Sequence, residues 1–164
     1  MTIALYPGSF DPITLGHVDI VTRASQLFER VVMAVVKNPS KNPLIALDER
    51  VTLIRESIPH LKNVDIISFE GLTVDIARQQ QAGVIIRGLR AVSDFEYEFM
   101  MSQMNKSLAP EIETIFMMAG LEYQFLTSSM IREVAGLGGD VAKLVPKGIH
   151  SYLKKHVIPA GGKA

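Results

Sequence analysis

The chain has 164 residues, of which 48% are hydrophobic and 21% charged, and its formal net charge at pH 7 is zero. That size suits one compact domain, and a balanced charge gives no global attraction to nucleic acid or to an anionic membrane. Cysteine is absent, which excludes disulfides and thiolate chemistry, and because we find no membrane-length apolar run and no signal peptide we expect a cytoplasmic location.

Short apolar runs alternate with helical patterns along the chain. Five runs predict strands, at Thr2–Tyr6, Val31–Val36, Val64–Ser68, Val84–Arg87 and Thr114–Met118. Helices are predicted at Gly16–Phe28, Asp48–Ser57, Thr73–Gln80, Val92–Leu108, Ser128–Ala135, Asp140–Lys143 and Lys147–His156. Near-continuous apolar strands alternating with helices are typical of buried parallel sheets. The sequence therefore predicts an α/β fold: a Rossmann-like, doubly wound five-stranded parallel sheet with C-terminal helices, in a single domain over residues 1–164.

The loops that follow the predicted strands are where a ligand site is expected, because doubly wound sheets bind ligands at the carboxyl ends of their strands. Those loops are Pro7–Thr14, Lys37–Ala46, Phe69–Leu72, Gly88–Arg90 and Ala119–Ser128. The less common residue clusters of the sequence lie in or next to them.

The first of these loops leads into a helix whose start favours an anion. Thr14 is a good N-cap, and Gly16 leaves room for a ligand to approach the backbone. His17 would lie in the first turn, where the helix dipole disfavours an imidazolium while a neutral ring can still donate one hydrogen bond. Alternatively, the glycine only shapes a turn and His17 is a surface residue.

Further candidates for anion binding follow later strands. Lys41 lies on a proline-stiffened loop and is a candidate phosphate clamp, or else a solvated lysine. Thr127, Ser128 and Ser129 precede a predicted helix and either form a second anion site or simply cap it.

Two arginines leave the fourth strand, Arg87 and Arg90. Bidentate phosphate recognition is a common use of such guanidinium groups. The alternative is a structural salt bridge with an acidic residue shortly downstream, namely Asp94, Glu96 or Glu98.

Two signatures place the chain near a known superfamily. Thr14-Leu15-Gly16-His17 resembles the (H/T)xGH motif of the nucleotidylyl transferases, and Leu126-Thr127-Ser128-Ser129-Met130-Ile131-Arg132 resembles their ISSSxxR motif, with Leu and Thr in place of Ile and the first Ser. The runs Tyr6–Pro12, Pro39–Lys41 and Arg87–Glu98 are similar to the bacterial phosphopantetheine adenylyltransferase family, and this likeness extends from about residue 3 to residue 158.

The resemblance implies transfer of an adenylyl group from ATP to 4′-phosphopantetheine, with Mg²⁺ as cofactor. Contacts to ATP are implied for Ser9, Phe10, His17, Gly88, Leu89, Arg90, Glu98, Tyr123, Gln124, Phe125, Leu126, Thr127, Ser128 and Ser129. Contacts to phosphopantetheine are implied for Ser9, Lys41, Thr73 and Arg87. We predict His17, Lys41 and Arg90 as the catalytic residues, acting by positioning and charge stabilisation, because the acceptor phosphate is already an anionic nucleophile. No protein ligand for a metal is predicted.

The helix predicted at Val92–Leu108 is apolar around most of its circumference. Such a helix is buried on more than one side, either in a subunit interface or between the sheet and the C-terminal helices. The family resemblance implies a homohexamer and feedback inhibition by coenzyme A. Two other functions stay open at this point, namely nucleotidyl transfer to a different phosphorylated acceptor and nucleotide binding without turnover.

Overall fold

The computed structural model describes residues 2–37, 42–90 and 92–157. Five strands alternate with helices: β1 (Ile3–Gly8), α1 (Leu15–Leu27), β2 (Arg30–Val36), α2 (Leu47–Ser57), β3 (Val64–Phe69), α3 (Thr73–Gln79), β4 (Val84–Leu89), α4 (Val92–Leu108) and β5 (Glu113–Met118). A single 3₁₀ turn (Leu121–Tyr123), α5 (Ser128–Gly136) and α6 (Lys147–His156) follow. The predicted fold class is confirmed.

The strands form one parallel sheet in the order β3-β2-β1-β4-β5. Strand order reverses between β1 and β4, and these two strands pair only at Ala4–Val84 and Leu5–Ile85. In contrast, β1 pairs with β2 over six residues and β4 pairs with β5 over six residues. The carboxyl ends of β1 and β4 therefore separate, which opens a crevice at the point where doubly wound folds bind ligands.

Alternate residues of the central strands supply two hydrophobic layers, one on each face of the sheet. Val31, Met33 and Val35 pack into the larger layer with residues of α1, α2, α5 and α6. Val32 and Ala34 pack into the smaller layer with residues of α3. The period of two follows from strand geometry and explains why these runs are apolar throughout.

One predicted helix is wrong. Residues 140–143 form a turn, in which the Asp140 carboxylate accepts the Ala142 backbone N–H at 2.9 Å and the Leu144 N–H donates to the Val141 carbonyl at 2.9 Å. The Asp140 side chain satisfies the backbone locally and so competes with helical hydrogen bonding.

Over the described ranges, no helix is long and apolar enough to span a bilayer.

Candidate active site

A cleft of about 510 Å³ occupies the crevice between the separated ends of β1 and β4. Its walls come from the β1–α1 loop, the start of α1, the end of β4, α4, and the segment that leads into α5. The lining residues are Tyr6, Pro7, Gly8, Ser9, Phe10, Thr14, Gly16, His17, Ile20, Arg87, Gly88, Arg90, Glu98, Ala119, Tyr123, Leu126, Thr127, Ser128 and Ser129.

The start of α1 fixes the tautomer of His17. Thr14 is the N-cap, and its side chain accepts the His17 backbone N–H, while His17 Nδ1 lies 3.0 Å from the Thr14 backbone nitrogen. A backbone N–H can only donate, so Nδ1 is the acceptor and the neutral ring carries its proton on Nε2. Among the described residues no hydrogen bond uses Nε2, which leaves this donor available to a ligand.

His17 stays uncharged at neutral pH. Burial, followed by the positive charge of Arg90, lowers the pKa of His17 from 6.5 to about 4. The ring of Phe10 packs edge-on against the imidazole, with ring centroids 5.2 Å apart. Hydrogen bonding on one side and aromatic packing on another therefore hold a neutral hydrogen-bond donor in a fixed position.

Phe10 itself adopts a left-handed backbone conformation, with φ of 46°. Its ring is buried between Tyr6, at a centroid distance of 5.4 Å, and His17. A Cβ atom at Gly8 would lie 2.8 Å from the tip of the Phe10 ring, so the ring needs a glycine there. A non-glycine residue keeps such a conformation only where its surroundings enforce it, and this loop is therefore closely determined by packing.

A second helix N-terminus faces the same cleft. Thr127 is the N-cap of α5 and accepts the Met130 N–H at 3.0 Å. Ser128 Oγ donates to the Pro12 carbonyl oxygen at 2.8 Å, which ties this helix to the β1–α1 loop. The starts of α1 and α5 therefore converge on one space, and each favours an anion.

Both arginines of the fourth strand reach the cleft, and each is held by a carboxylate of α4. Arg87 donates through Nε and Nη2 to Glu98, both at 2.6 Å, and through Nη1 to the Pro7 carbonyl at 3.2 Å. Arg90 donates through Nε and Nη2 to Asp94 at 3.0 and 3.2 Å. The salt bridges that the sequence left as an alternative are thus formed, and they orient guanidinium groups that line the cleft.

Two glycines that line the cleft allow neighbouring side chains to approach the backbone closely. A Cβ at Gly16 would lie 3.3 Å from Tyr123 Cβ, and a Cβ at Gly88 would lie 2.6 Å from Ile20 Cδ1. With Ala119 these residues add apolar surface to a cleft that two helix N-termini and two arginines also line. The cleft can therefore hold a molecule with one flat apolar part and one strongly anionic part.

Four of the predicted contact residues are not among those that line the cleft. The Leu89 side chain is buried, Gln124 and Phe125 are exposed, and Thr73 begins α3. Next to Thr73, a second cavity of about 310 Å³ is lined by residues of the β3–α3 segment, including Leu72. The predicted Lys41 lies outside the described residues.

Sequence reasoning assigned no role to three charged residues that hold the β1–α1 loop in place, one within the loop and two that contact it. The buried Asp11 carboxylate accepts the backbone N–H groups of Leu44 and Ile45, both at 2.9 Å. Arg132 Nη1 donates to the Asp11 carbonyl at 2.5 Å, and Arg50 Nη1 donates to another carbonyl of the same loop at 2.6 Å. Arg132 carried a signal as the last residue of the ISSSxxR-like motif, and Arg50 carried one because it lies three positions before the buried Leu53 and so on the core face of α2.

The donor set of the cleft is poor in metal ligands. Within the described parts of the chain, no group of three His, Cys, Asp or Glu residues could hold a metal ion. The lining carboxylate, Glu98, is engaged with Arg87, and Asp94 is engaged with Arg90.

Comparison with known proteins agrees with this geometry. The Cytidylyltransferase-like family matches residues 5–134. Phosphopantetheine adenylyltransferase of Heliobacterium modesticaldum is 58% identical, covering 100% of this chain and 98% of its own, and that of a Cyanothece species is 56% identical, covering 93% and 90%.

Two solved structures share the fold. A putative nicotinate-nucleotide adenylyltransferase of Vibrio parahaemolyticus has a TM-score of 0.70 at 20% identity, covering 93% of this chain and 91% of its own. Nicotinic acid mononucleotide adenylyltransferase of Plasmodium falciparum, complexed with NaAD, has a TM-score of 0.73 at 16% identity, covering 94% and 95%. At these identities the likeness shows the fold alone.

Proposed function

This chain belongs to the phosphopantetheine adenylyltransferase family, and we propose that it transfers the adenylyl group of ATP to the phosphate of 4′-phosphopantetheine, giving dephospho-coenzyme A and pyrophosphate. The observation that carries the proposal is the convergence of two helix N-termini, two oriented arginines and a neutral histidine on one cleft. This arrangement suits a reaction between two anions, in which negative charge must be neutralised and geometry held.

ATP occupies the cleft with its adenine against the apolar surface that includes Ile20 and its phosphates at the helix N-termini. Thr127, Ser128 and Ser129 bind the terminal phosphates at the start of α5, where backbone N–H groups without an intrahelical partner are available. Arg90 lies between Asp94 and the cleft, so its guanidinium plane is fixed before a phosphate arrives.

The chemistry needs no general base. A phosphate oxygen of the acceptor forms a bond to the α-phosphorus of ATP, and the bond from that phosphorus to the bridging oxygen of pyrophosphate breaks, with the electron pair leaving on pyrophosphate. His17 donates its Nε2 proton as a hydrogen bond to a nonbridging α-phosphoryl oxygen, and the donor matters most as charge builds there during attack. The lowered pKa makes this ring a neutral donor at neutral pH in the chain that ATP meets.

The acceptor phosphate approaches from the side of Arg87. Glu98 holds two of the Arg87 nitrogens, which orients the remaining guanidinium N–H groups for a phosphate. Ser9 and Lys41 complete this subsite in our proposal. The organic arm then extends toward Thr73 and the second cavity at the β3–α3 segment, which offers about 310 Å³.

The expected cofactor, Mg²⁺, would be bound here together with the nucleotide. Because the described residues provide no cluster of carboxylates, we propose that phosphate oxygens and water hold the ion, as is common for this hard cation. When bound, it neutralises part of the triphosphate charge.

We also propose that the enzyme is a cytoplasmic homohexamer and that coenzyme A, which contains the product's structure, inhibits it. Support for assembly comes from large apolar side chains that α4 and β5 expose: Phe95, Tyr97, Phe99, Met100, Met101, Met104, Leu108, Ile115 and Met118. An apolar surface of this extent on a monomer is unusual and marks an interaction site.

A single assay separates the proposed reaction from its competitors. Pyrophosphate release from ATP is measured with 4′-phosphopantetheine and, in parallel, with nicotinamide mononucleotide and glycerol phosphate. We expect release with 4′-phosphopantetheine only. Release with another acceptor would show a different transferase, and ATP binding without release under any condition would show a binding module.

A further inference from the structure

Behind the floor of the cleft lies a buried guanidinium that the proposed chemistry does not use. Arg50, on α2, is 5% exposed and is not among the residues that line the cleft. Its Nη1 donates to the Ser9 carbonyl oxygen at 2.6 Å and to the Val36 carbonyl oxygen at 3.5 Å. Its Nε is buried and has no acceptor among the described residues. A buried donor without an acceptor costs stability, so packing alone does not account for an arginine at this position.

The hydrogen bond from Arg50 determines the orientation of the Ser9–Phe10 peptide. The Ser9–Phe10 peptide is trans, so its carbonyl and its N–H lie in one plane and point in opposite directions. The carbonyl faces Arg50, behind the cleft, whereas Ser9 and Phe10 themselves line the cleft. The Phe10 N–H is thereby directed to the cleft side, and no hydrogen bond between described residues uses it.

The rest of Phe10 supports the same orientation. Its ring is buried against Tyr6 and His17, so the part of the residue that a ligand can reach is chiefly its backbone. Its left-handed φ of 46° is enforced from two sides, by the packed ring and by the hydrogen bond that Arg50 donates to the preceding carbonyl, that of Ser9. A cation on the carbonyl also polarises the peptide and strengthens its N–H as a donor.

We propose that Arg50 is a positioning residue, which fixes the Ser9–Phe10 peptide so that the Phe10 N–H donates to a phosphoryl oxygen of bound ATP. The proposal rests on the proposed function, because that function places ATP in the cleft. Arg50 touches neither substrate. It acts through a preorganised backbone donor, of the kind that stabilises developing charge in acyl and phosphoryl transfer.

Three variants test this role in the full chain. Arg50→Met removes the charge and the hydrogen bond to Ser9 while keeping a side chain of similar length. Arg50→Lys retains a charged donor, and Arg55→Met is the matched control. Arg55 lies on the same helix and donates to the Ile66 carbonyl at 3.4 Å, in a part of β3 that does not line the cleft. We expect Arg50→Met to lower kcat by roughly thirtyfold with little change in the KM for phosphopantetheine, Arg50→Lys to recover most of the loss, and Arg55→Met to match wild type.

A second readout follows the Phe10 amide directly, without turnover. In protein labelled with ¹⁵N-phenylalanine, a nonhydrolysable ATP analogue should shift the Phe10 amide proton downfield in wild type, less in Arg50→Met, and close to the wild-type extent in Arg50→Lys. If Arg50→Met does not fold, wild type and Arg50→Lys still test whether the Phe10 amide responds to the nucleotide.

The outcomes separate this inference from the function on which it rests. A wild-type enzyme without activity toward 4′-phosphopantetheine would overturn the proposed function. An active wild type together with a folded Arg50→Met of unchanged kcat, or a Phe10 amide that the nucleotide does not shift, would overturn the positioning role. A lower melting temperature with unchanged kcat would show that Arg50 is only structural.

Discussion

Replacing His17 by Gln should make the folded protein less sensitive to acid, because the variant lacks a ring that folding keeps uncharged. The pKa of His17 is about 4 in the folded chain, against 6.5 for a free histidine side chain. Between these values the unfolded chain binds the proton and the folded chain does not, so the free energy of unfolding falls as the pH drops below 6.5. The full effect is about 3 kcal/mol, of which about 2 kcal/mol develops between pH 7 and pH 5.

Gln is the suitable replacement because the third position of α1 is part of a capping box. Its amide oxygen can accept the Thr14 N–H that Nδ1 accepts in wild type, so the start of the helix is preserved. Urea unfolding at pH 7 and pH 5, followed by circular dichroism at one protein concentration and salt, gives the two free energies. All other titrating groups are common to both proteins. Wild type should lose about 2 kcal/mol more than His17→Gln over this range, and equal losses would refute a ring that folding keeps neutral.

Other substitutions test the rest of the site and the surface. His17→Ala should lower kcat by at least about a hundredfold, near 3 kcal/mol, with a much smaller change in ATP affinity measured by calorimetry; undiminished turnover would remove His17 from the mechanism. Gly88→Ala should push the Ile20 side chain into the cleft and raise the KM for ATP by roughly tenfold, whereas Gly83→Ala, whose Cβ would meet nothing within 4 Å, should behave as wild type. Met104→Glu places a charge on the exposed apolar face of α4, and light scattering should show a hexamer for wild type and smaller species for the variant; a wild-type monomer would contradict the proposed assembly.

The sheet and the location of the cleft were predictable because they depend on local patterns. Apolar runs such as Val31–Val36 identify strands buried on both faces, and alternation with helices implies parallel order. The cap at Thr14 was also predictable, since it depends on residues only three positions apart. Strand ends meet at one edge of such a sheet, so the loops to search followed directly from the fold.

Interactions between residues distant in sequence were beyond this kind of prediction. Whether Arg87 would face a phosphate or Glu98 depends on how α4 lies over β4, which no local pattern records. The hydrogen bond from Arg50 to Ser9 joins residues 41 positions apart, and it forms only once α2 has packed behind the β1–α1 loop. The predicted helix at Asp140–Lys143 failed for a local reason, because the Asp140 side chain satisfies a backbone N–H that a helix would use.

The most direct test of the account is to follow the oxygen atoms of the acceptor phosphate. The enzyme is incubated with ATP and 4′-phosphopantetheine that carries ¹⁸O in its terminal phosphate oxygens, and both products are analysed by mass spectrometry. Direct attack at the α-phosphorus, in the cleft that His17 lines, predicts that dephospho-coenzyme A retains all of the label and that pyrophosphate contains none. Label in pyrophosphate, or ATP consumption without dephospho-coenzyme A, would contradict adenylyl transfer to the acceptor phosphate.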